Sequence, residues 1–165
     1  MLVRAEVNTD TDAISGVVTR AFKNHPFSAG TERSIVLSLR AASALAVSLV
    51  AEEQSQLIGH VAFSLVAVSD GAQHWYGLGP LAVEPRSQGR GVGSALMQAG
   101  LAKLPTLGAA GCVVLGDPAY YGRFGFESYA GLVYPGPAPE HFMALAFKGN
   151  VPNGQVAYHA AFSEA

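Results

Sequence analysis

The chain has 165 residues, which suffices for one domain with a sizeable core and is too short for two. Half of its residues are hydrophobic and only 13% are charged, so we expect extensive burial, with a homodimer interface as one option. The net charge of −2 and the lack of a signal pattern or a full-length apolar span predict a cytoplasmic protein that binds neither nucleic acid nor membrane.

The N-terminal half predicts two helices between strands, because its apolar residues first alternate and then recur with helical spacing. Thr9 or Asp10 can cap the first helix and Thr31 the second. In chain order we expect a strand over 2–7, a helix ending at Phe22, a loop over 24–30, a helix ending at Arg40, and strands over 45–52 and 57–68.

The C-terminal half alternates strands with helices, which predicts one α/β domain with a mixed sheet flanked by helices. Gly79 and Pro80 interrupt one strand, and since proline has no N–H, we expect a bulge or splay there. The elements are strands over 74–83, 111–116 and 141–147, a helix over 91–104, a short helix around Tyr121, a core ending near Lys148, and a tail over 155–162 that can add an edge strand.

A glycine-rich segment over 88–94 is the most informative stretch of the chain. It follows the apolar run 78–83 and opens the predicted helix 91–104. The first N–H groups of a helix have no partner in the helix, and its dipole places partial positive charge there. Small residues let a ligand approach, and Gln88 and Arg90 add polar side chains. The segment therefore predicts a site for the phosphate of a cofactor.

The spacing narrows the choice of cofactor. A Walker loop is absent, and no glycine triplet of the dinucleotide-binding type opens a helix at the right offset. What remains is Gln88-x-x-Gly91-x-Gly93, which resembles the pyrophosphate loop of the GNAT superfamily of acyl-CoA-dependent N-acetyltransferases. By itself, a glycine-rich turn of this kind can also serve only to tighten a strand–helix junction.

A second segment strengthens the resemblance. Tyr121-x-x-x-Gly125-Phe126 matches a motif that GNAT proteins carry downstream of the loop, and the surrounding residues 115–126 are similar to the bacterial YhbS-like branch of predicted acetyltransferases. The order of elements agrees from near the N-terminus to about Lys148. The resemblance implies a mixed, mostly antiparallel central sheet that splays near Pro80.

The resemblance also implies the reaction, in which an acetyl or short acyl group passes from acetyl-CoA to a small-molecule or peptide amine by direct attack in a ternary complex. Transfer to a thiol or hydroxyl, or a non-catalytic acyl-CoA sensor, are the alternatives. The loops 24–30 and 134–140 are expected to wall the acceptor pocket. The implied cofactor-binding residues are Leu81, Ala82, Val83, Gln88, Gly89, Arg90, Gly91, Val92, Gly93, Ser94 and Phe124.

The sequence indicates the general acid more clearly than the general base. Tyr121 lies at the family's acid position and can protonate the leaving thiolate, with Tyr120 as the alternate, although either ring can simply pack. Some GNAT members carry a glutamate as base where this chain has Gly77. His60 and His74 can relay a proton through water, but each is more typical of a structural histidine.

Three further side chains are expected to be structural. Glu84 is interpreted as a solvated strand end, Asp117 as the cap of the helix that follows it, and the single cysteine, Cys112, as a small core residue. The histidines show no paired metal-ligand spacing, so no metal is predicted.

Overall fold

The fold is built around two β-sheets. The structure is a computed structural model that describes residues 1–26 and 28–164. The helices are α1 (Thr11–Phe22), α2 (Glu32–Ala41), α3 (Val92–Lys103), α4 (Pro118–Tyr121) and α5 (Ala161–Glu164). The strands are β1 (Leu2–Ala5), β2 (Val47–Glu53), β3 (Gln56–Leu65), β4 (Ala67–Val68), β5 (Trp75–Val83), β6 (Gly111–Leu115), β7 (Leu132–Val133), β8 (Phe142–Ala146) and β9 (Gly154–Ala157).

The larger sheet has the strand order β1-β2-β3-β5-β6-β8. Every neighbouring pair in it is antiparallel except β5 and β6, which are parallel. Parallel neighbours need a long crossover, and here α3 supplies it. The prediction of a mixed, mostly antiparallel sheet flanked by helices is confirmed.

The two faces of this sheet are covered by different helices, because side chains alternate along each strand. On one face, Val61 and Phe63 of β3 pack against Leu96 and Met97 of α3. On the other face, Val50 of β2 and Ala82 of β5 pack against apolar residues of α1 and α2, among them Ile14, Val17, Val18 and Val36.

Gly100 sets how closely α3 can lie on the sheet. A Cβ at this position would be 2.3 Å and 2.4 Å from two ring atoms of Phe63, a buried side chain. We expect Gly100→Ala to destabilise the protein by about 1–3 kcal/mol, the usual cost of overpacking a core. The matched control is Gly16→Ala in α1, where the Cβ meets only the flexible end of Arg20 at 3.0 Å. Urea unfolding of both variants checks this, and equal stability changes would contradict it.

The smaller sheet is built from the end of the predicted strand 57–68 and from the tail. The predicted strand divides after Leu65, and its last part, β4, pairs with β9, which also pairs with β7. The tail was expected to add an edge strand, but β9 is the middle strand of the small sheet. Burial explains the difference, since Val156 packs among Val66, Val68 and Leu132.

The predicted helix caps differ from the structure in detail. Asp10 stands at the N-cap of α1 without capping it, because its carboxylate accepts hydrogen bonds from Arg4 and from the Val7 N–H. Thr31 precedes α2 but its side chain makes no capping hydrogen bond. Within the described ranges, no helix is long and apolar enough to cross a membrane.

Candidate active site

A split between β5 and β6 dominates the centre of the large sheet. The two strands pair only from Trp75 opposite Gly111 to Gly77 opposite Val113. Beyond Gly77, β5 remains paired with β3 while β6 remains paired with β8. Residues 78–83 therefore have main-chain groups on one side that β6 does not satisfy. Such groups need other partners, and an extended ligand chain can provide them.

A bulge in β5 lies at the start of this split. Val61 pairs with Leu81 and Phe63 with Leu78, so that Gly79 and Pro80 together face Ala62. Gly79 has a φ of 140°, a conformation that favours glycine. The expected bulge or splay at Pro80 is therefore present in both forms, as an extra residue against β3 and as a separation from β6.

The glycine-rich segment forms the entrance to α3 at the end of β5. Gly89 and Gly91 have φ values of 76° and 83°, and Gly91 is the N-cap of α3. Neither glycine would place a Cβ within 4 Å of another atom, so the space in front of the helix is open. The first backbone hydrogen bond of α3 runs from the Ala95 N–H to the Gly91 carbonyl. The N–H groups of residues 92–94, which precede it, lie in the first turn of the helix, where backbone N–H groups have no partner in the helix and favour negative charge.

The two polar side chains of the loop make contacts of their own. Gln88 donates a hydrogen bond from Nε2 to the Val83 carbonyl at 3.2 Å, which ties the loop to the end of β5. Arg90 pairs with Glu53 of β2 at 3.2 Å, and its side chain is more than half exposed. Both pairs are at the surface, so breaking either of them costs little free energy.

The environment of Glu84 differs from the one expected from the sequence. It was interpreted as a solvated strand end, but it is buried and accepts two hydrogen bonds from Arg20 of α1, at 2.7 Å and 3.0 Å. Because Glu84 directly follows β5, this pair fixes the strand end that leads into the loop.

Tyr120 lies over the start of α3. Its hydroxyl oxygen would be 3.1 Å from a Cβ on Gly93, and the side chains of Val83 and Leu81 also approach that point, at 3.7 Å and 4.0 Å. The ring packs on Phe124, with 5.5 Å between centroids. Tyr120 thus borders the loop, and Phe124 contacts the Tyr120 ring. Ala82, which lies between Leu81 and Val83 on β5, instead faces α1 on the opposite side of the sheet.

Tyr121 occupies a different place, beside the end of β6. Its ring lies 2.4 Å from where a Cβ of Gly116 would stand, and it contacts Phe126 edge-on at a centroid distance of 6.1 Å. Burial raises the pKa of Tyr121 to about 12, so the hydroxyl keeps its proton at neutral pH. Asp117 caps the helix that carries both tyrosines, accepting a hydrogen bond from the Ala119 N–H, as expected.

The structure leaves no room for a side chain at Gly77. A Cβ there would be 2.4 Å from Cε1 of Tyr158, which follows β9 in the tail, and 3.0 Å from Cγ1 of Val66. The tail ring thus covers the position at which some members of the resembled family carry a glutamate. A base in this protein has to come from another residue.

The two histidines considered as bases differ in position and in burial. His74 precedes β5, several residues before the bulge, and is exposed. His60 lies on β3 opposite Ala82 and is fully buried.

Cys112 is buried as expected, and burial raises the pKa of its thiol. In residues 1–26 and 28–164, no cluster of three His, Cys, Asp or Glu side chains could hold a metal ion.

The sequence model of the acetyltransferase (GNAT) family matches residues 18–126, more than half of the chain. The protein belongs to the GNAT family. It is 40% identical over 128 residues to the uncharacterized N-acetyltransferase YhbS of Escherichia coli K12, a match that covers 77% of this chain and 74% of YhbS. The predicted resemblance to the YhbS-like branch is confirmed.

Two crystal structures of GNAT proteins superpose closely on this one. An acetyltransferase from Brucella melitensis in complex with acetyl-CoA is 46% identical, with a TM-score of 0.87 over 98% of this chain and 97% of the other. YhbS from Escherichia coli in complex with CoA is 36% identical, with a TM-score of 0.88 over 98% and 91% of the two chains. This GNAT protein is accordingly an acetyltransferase, and the split and loop are its candidate active site.

Proposed function

We propose that this GNAT protein transfers an acetyl or short acyl group from acetyl-CoA to a primary amine by direct attack. The observation that carries the proposal is the split beyond Gly77, which starts at the bulge and runs along residues 78–83 to the loop at the start of α3. A slot lined by free main-chain groups that leads to an anion-binding helix start fits a pantetheine chain ending in a pyrophosphate.

In this proposal the loop binds the phosphates. The N–H groups of residues 92–94 face the pyrophosphate, and Gln88 and Arg90 turn towards it from their surface partners. The main chain of Leu81, Ala82 and Val83 pairs with the pantetheine arm. A free N–H of this segment also polarises the thioester carbonyl as negative charge develops on its oxygen.

Tyr121 is the proposed general acid. Its position at the end of β6, across the split from the bulge, supports this role, whereas Tyr120 borders the loop. The amine nitrogen bonds to the acyl carbon, the carbon–sulfur bond breaks, and the thiolate takes a proton from the phenol. Burial raises the pKa of the phenol to about 12, so the phenol holds its proton until the thiolate forms.

Calorimetric titration with acetyl-CoA, followed by a thiol-release assay over a panel of primary amines, tests the proposal. We expect binding without an acceptor, and thiol release that depends on the amine and yields an N-acetyl product by mass spectrometry. Release with thiols or alcohols alone would move the reaction to another acceptor class. Binding without any transfer would mean a non-catalytic acyl-CoA module, and absence of binding would remove the proposal altogether.

A further inference from the structure

A chain of hydrogen-bonded side chains leads from the middle of the sheet to the surface. His60 is fully buried on β3, and its Nε2 lies 2.8 Å from the Ser48 hydroxyl oxygen on β2. Ser48 donates a hydrogen bond to Glu6, which follows β1. Arg40 of α2 donates two more to the same carboxylate, at 2.9 Å and 3.1 Å.

The hydrogens in this chain can be assigned by counting donors. Burial by itself would raise the pKa of Glu6, but hydrogen bonds from Arg40 and Ser48 lower it, so this carboxylate is ionised and only accepts. Ser48 has one hydrogen and gives it to Glu6. The hydrogen between Ser48 and His60 must therefore sit on Nε2, which leaves Nδ1 as a lone-pair acceptor.

That lone pair has no hydrogen-bond partner among the described residues, although its atom is buried. Burying an acceptor without a partner is unfavourable, so a hydrogen-bond donor that reached Nδ1 would stabilise the site. His60 lies opposite Ala82, next to the Val61–Leu81 pair that bounds the bulge. It also lies on the face of the sheet that α1 and α2 cover, together with Val50 and Ala82. A donor near the bulge on that face is what an attacking nitrogen or a bridging water supplies.

We propose that His60, Ser48 and Glu6 form the proton relay that deprotonates the acceptor amine in this protein, an inference that rests on the proposed acetyl transfer. The relay replaces a carboxylate on β5, which Tyr158 excludes by covering Gly77. Because His60 is fully covered, the proton reaches Nδ1 through one bridging water.

The relay balances the protons of the reaction. The ammonium loses one proton to Nδ1 through the water, Nε2 gives its hydrogen to Ser48, and Ser48 gives its own to Glu6. The neutral amine then attacks, and its second proton leaves with the thiol by way of Tyr121. Glu6 releases the first proton to solvent, because it lines an open depression of about 400 Å³ together with Arg40, Ser43, Leu45 and Ser48.

The environment of the His60 ring favours passing a proton on and disfavours holding it. Burial is the main cause that lowers the pKa of His60 to about 4; the Glu6 carboxylate opposes this shift and the Arg40 guanidinium adds to it. A lasting imidazolium is therefore disfavoured, and the incoming proton displaces the one on Nε2. The buried residues of α1, which covers this face of the sheet, are apolar. An ammonium brought to this buried place also has a lowered pKa, which assists its deprotonation.

The pH dependence of kcat/KM for Ser48→Ala tests the relay, with the best primary amine of the panel as acceptor. The wild-type value should stay level between about pH 6 and 9, because the relay uses the ammonium, which predominates below a pKa of about 10.4. In Ser48→Ala only the free amine reacts, so kcat/KM should fall by roughly 10²–10⁴-fold at neutral pH and recover as the pH rises.

Two further variants keep the test decisive. Ser48→Thr retains a hydroxyl and should restore the level profile. Ser64→Ala removes another fully buried hydroxyl from β3, opposite Gly77, and should leave the profile unchanged. A loss in Ser48→Ala that is equal at every pH, or no loss at all, overturns the relay while the acetyl transfer stands. If no primary amine accepts the acetyl group, the proposed function fails and the relay fails with it.

Discussion

Replacing Tyr121 by phenylalanine should lower turnover by roughly 10²–10⁴-fold, the usual contribution of a positioned acid. The affinity for acetyl-CoA should change little, because the ring keeps its packing against Gly116 and its edge-on contact with Phe126. The hydroxyl is protonated at neutral pH, since burial raises the pKa of Tyr121 to about 12. Steady-state kinetics with the best amine acceptor, and calorimetry with acetyl-CoA, measure the two quantities separately.

Tyr120→Phe is the matched control for this prediction. Tyr120 is the neighbouring residue on the same short helix, but its hydroxyl lies over Gly93 at the loop and not beside the end of β6. We expect a much smaller loss of turnover in this variant. If Tyr120→Phe is the damaging change and Tyr121→Phe is silent, the two roles are reversed. If both variants turn over normally, water protonates the thiolate.

Replacing Gly91 by leucine should weaken acetyl-CoA binding by roughly 10–100-fold, the loss expected when one hydrogen bond to a charged group is prevented. Gly91 is the N-cap of α3 with a φ of 83°, and the space around its Cβ direction is open. A leucine side chain would fill the space that the phosphates need in order to reach the N–H groups of the helix. Calorimetry with acetyl-CoA measures the affinity.

Gly108→Leu provides a strain-matched control. Gly108 has a φ of 82° and also has open space around its Cβ direction, but it ends the turn that follows α3. Both variants should lose about 1–2 kcal/mol of stability, because leucine is strained in the left-handed region. Only Gly91→Leu should lose affinity. Equal affinities in both variants would place the phosphate site elsewhere.

The parts of the site that could be predicted from the sequence are those determined by a few consecutive residues. The spacing of Gln88, Gly91 and Gly93 after an apolar strand predicts a glycine turn at a helix start, and Asp117 before a proline predicts a cap. The interruption at Gly79 and Pro80 predicts the bulge, since both residues weaken strand pairing. In each case the physical cause is local, so a single sequence carries it.

The parts that sequence missed depend on contacts between distant segments. Glu84 looks solvated until Arg20 of α1 is placed beside it. Gly77 looks like a missing base until Tyr158 of the tail is seen to cover it. The hydrogen bonds that run from His60 through Ser48 to Glu6 form only when three separate segments come together. No spacing rule connects such residues, because the sheet order brings them together.

The most direct test of the central claim is a titration of the protein with acetyl-CoA followed by the amide ¹H–¹⁵N NMR signals. The claim is that the CoA thioester lies in the split between β5 and β6, with its pyrophosphate at the start of α3. We predict the largest shifts in the amides of residues 88–94 and 79–83, with small changes in β1 and β2. Large shifts confined to other regions, with residues 88–94 unchanged at saturation, would contradict this account.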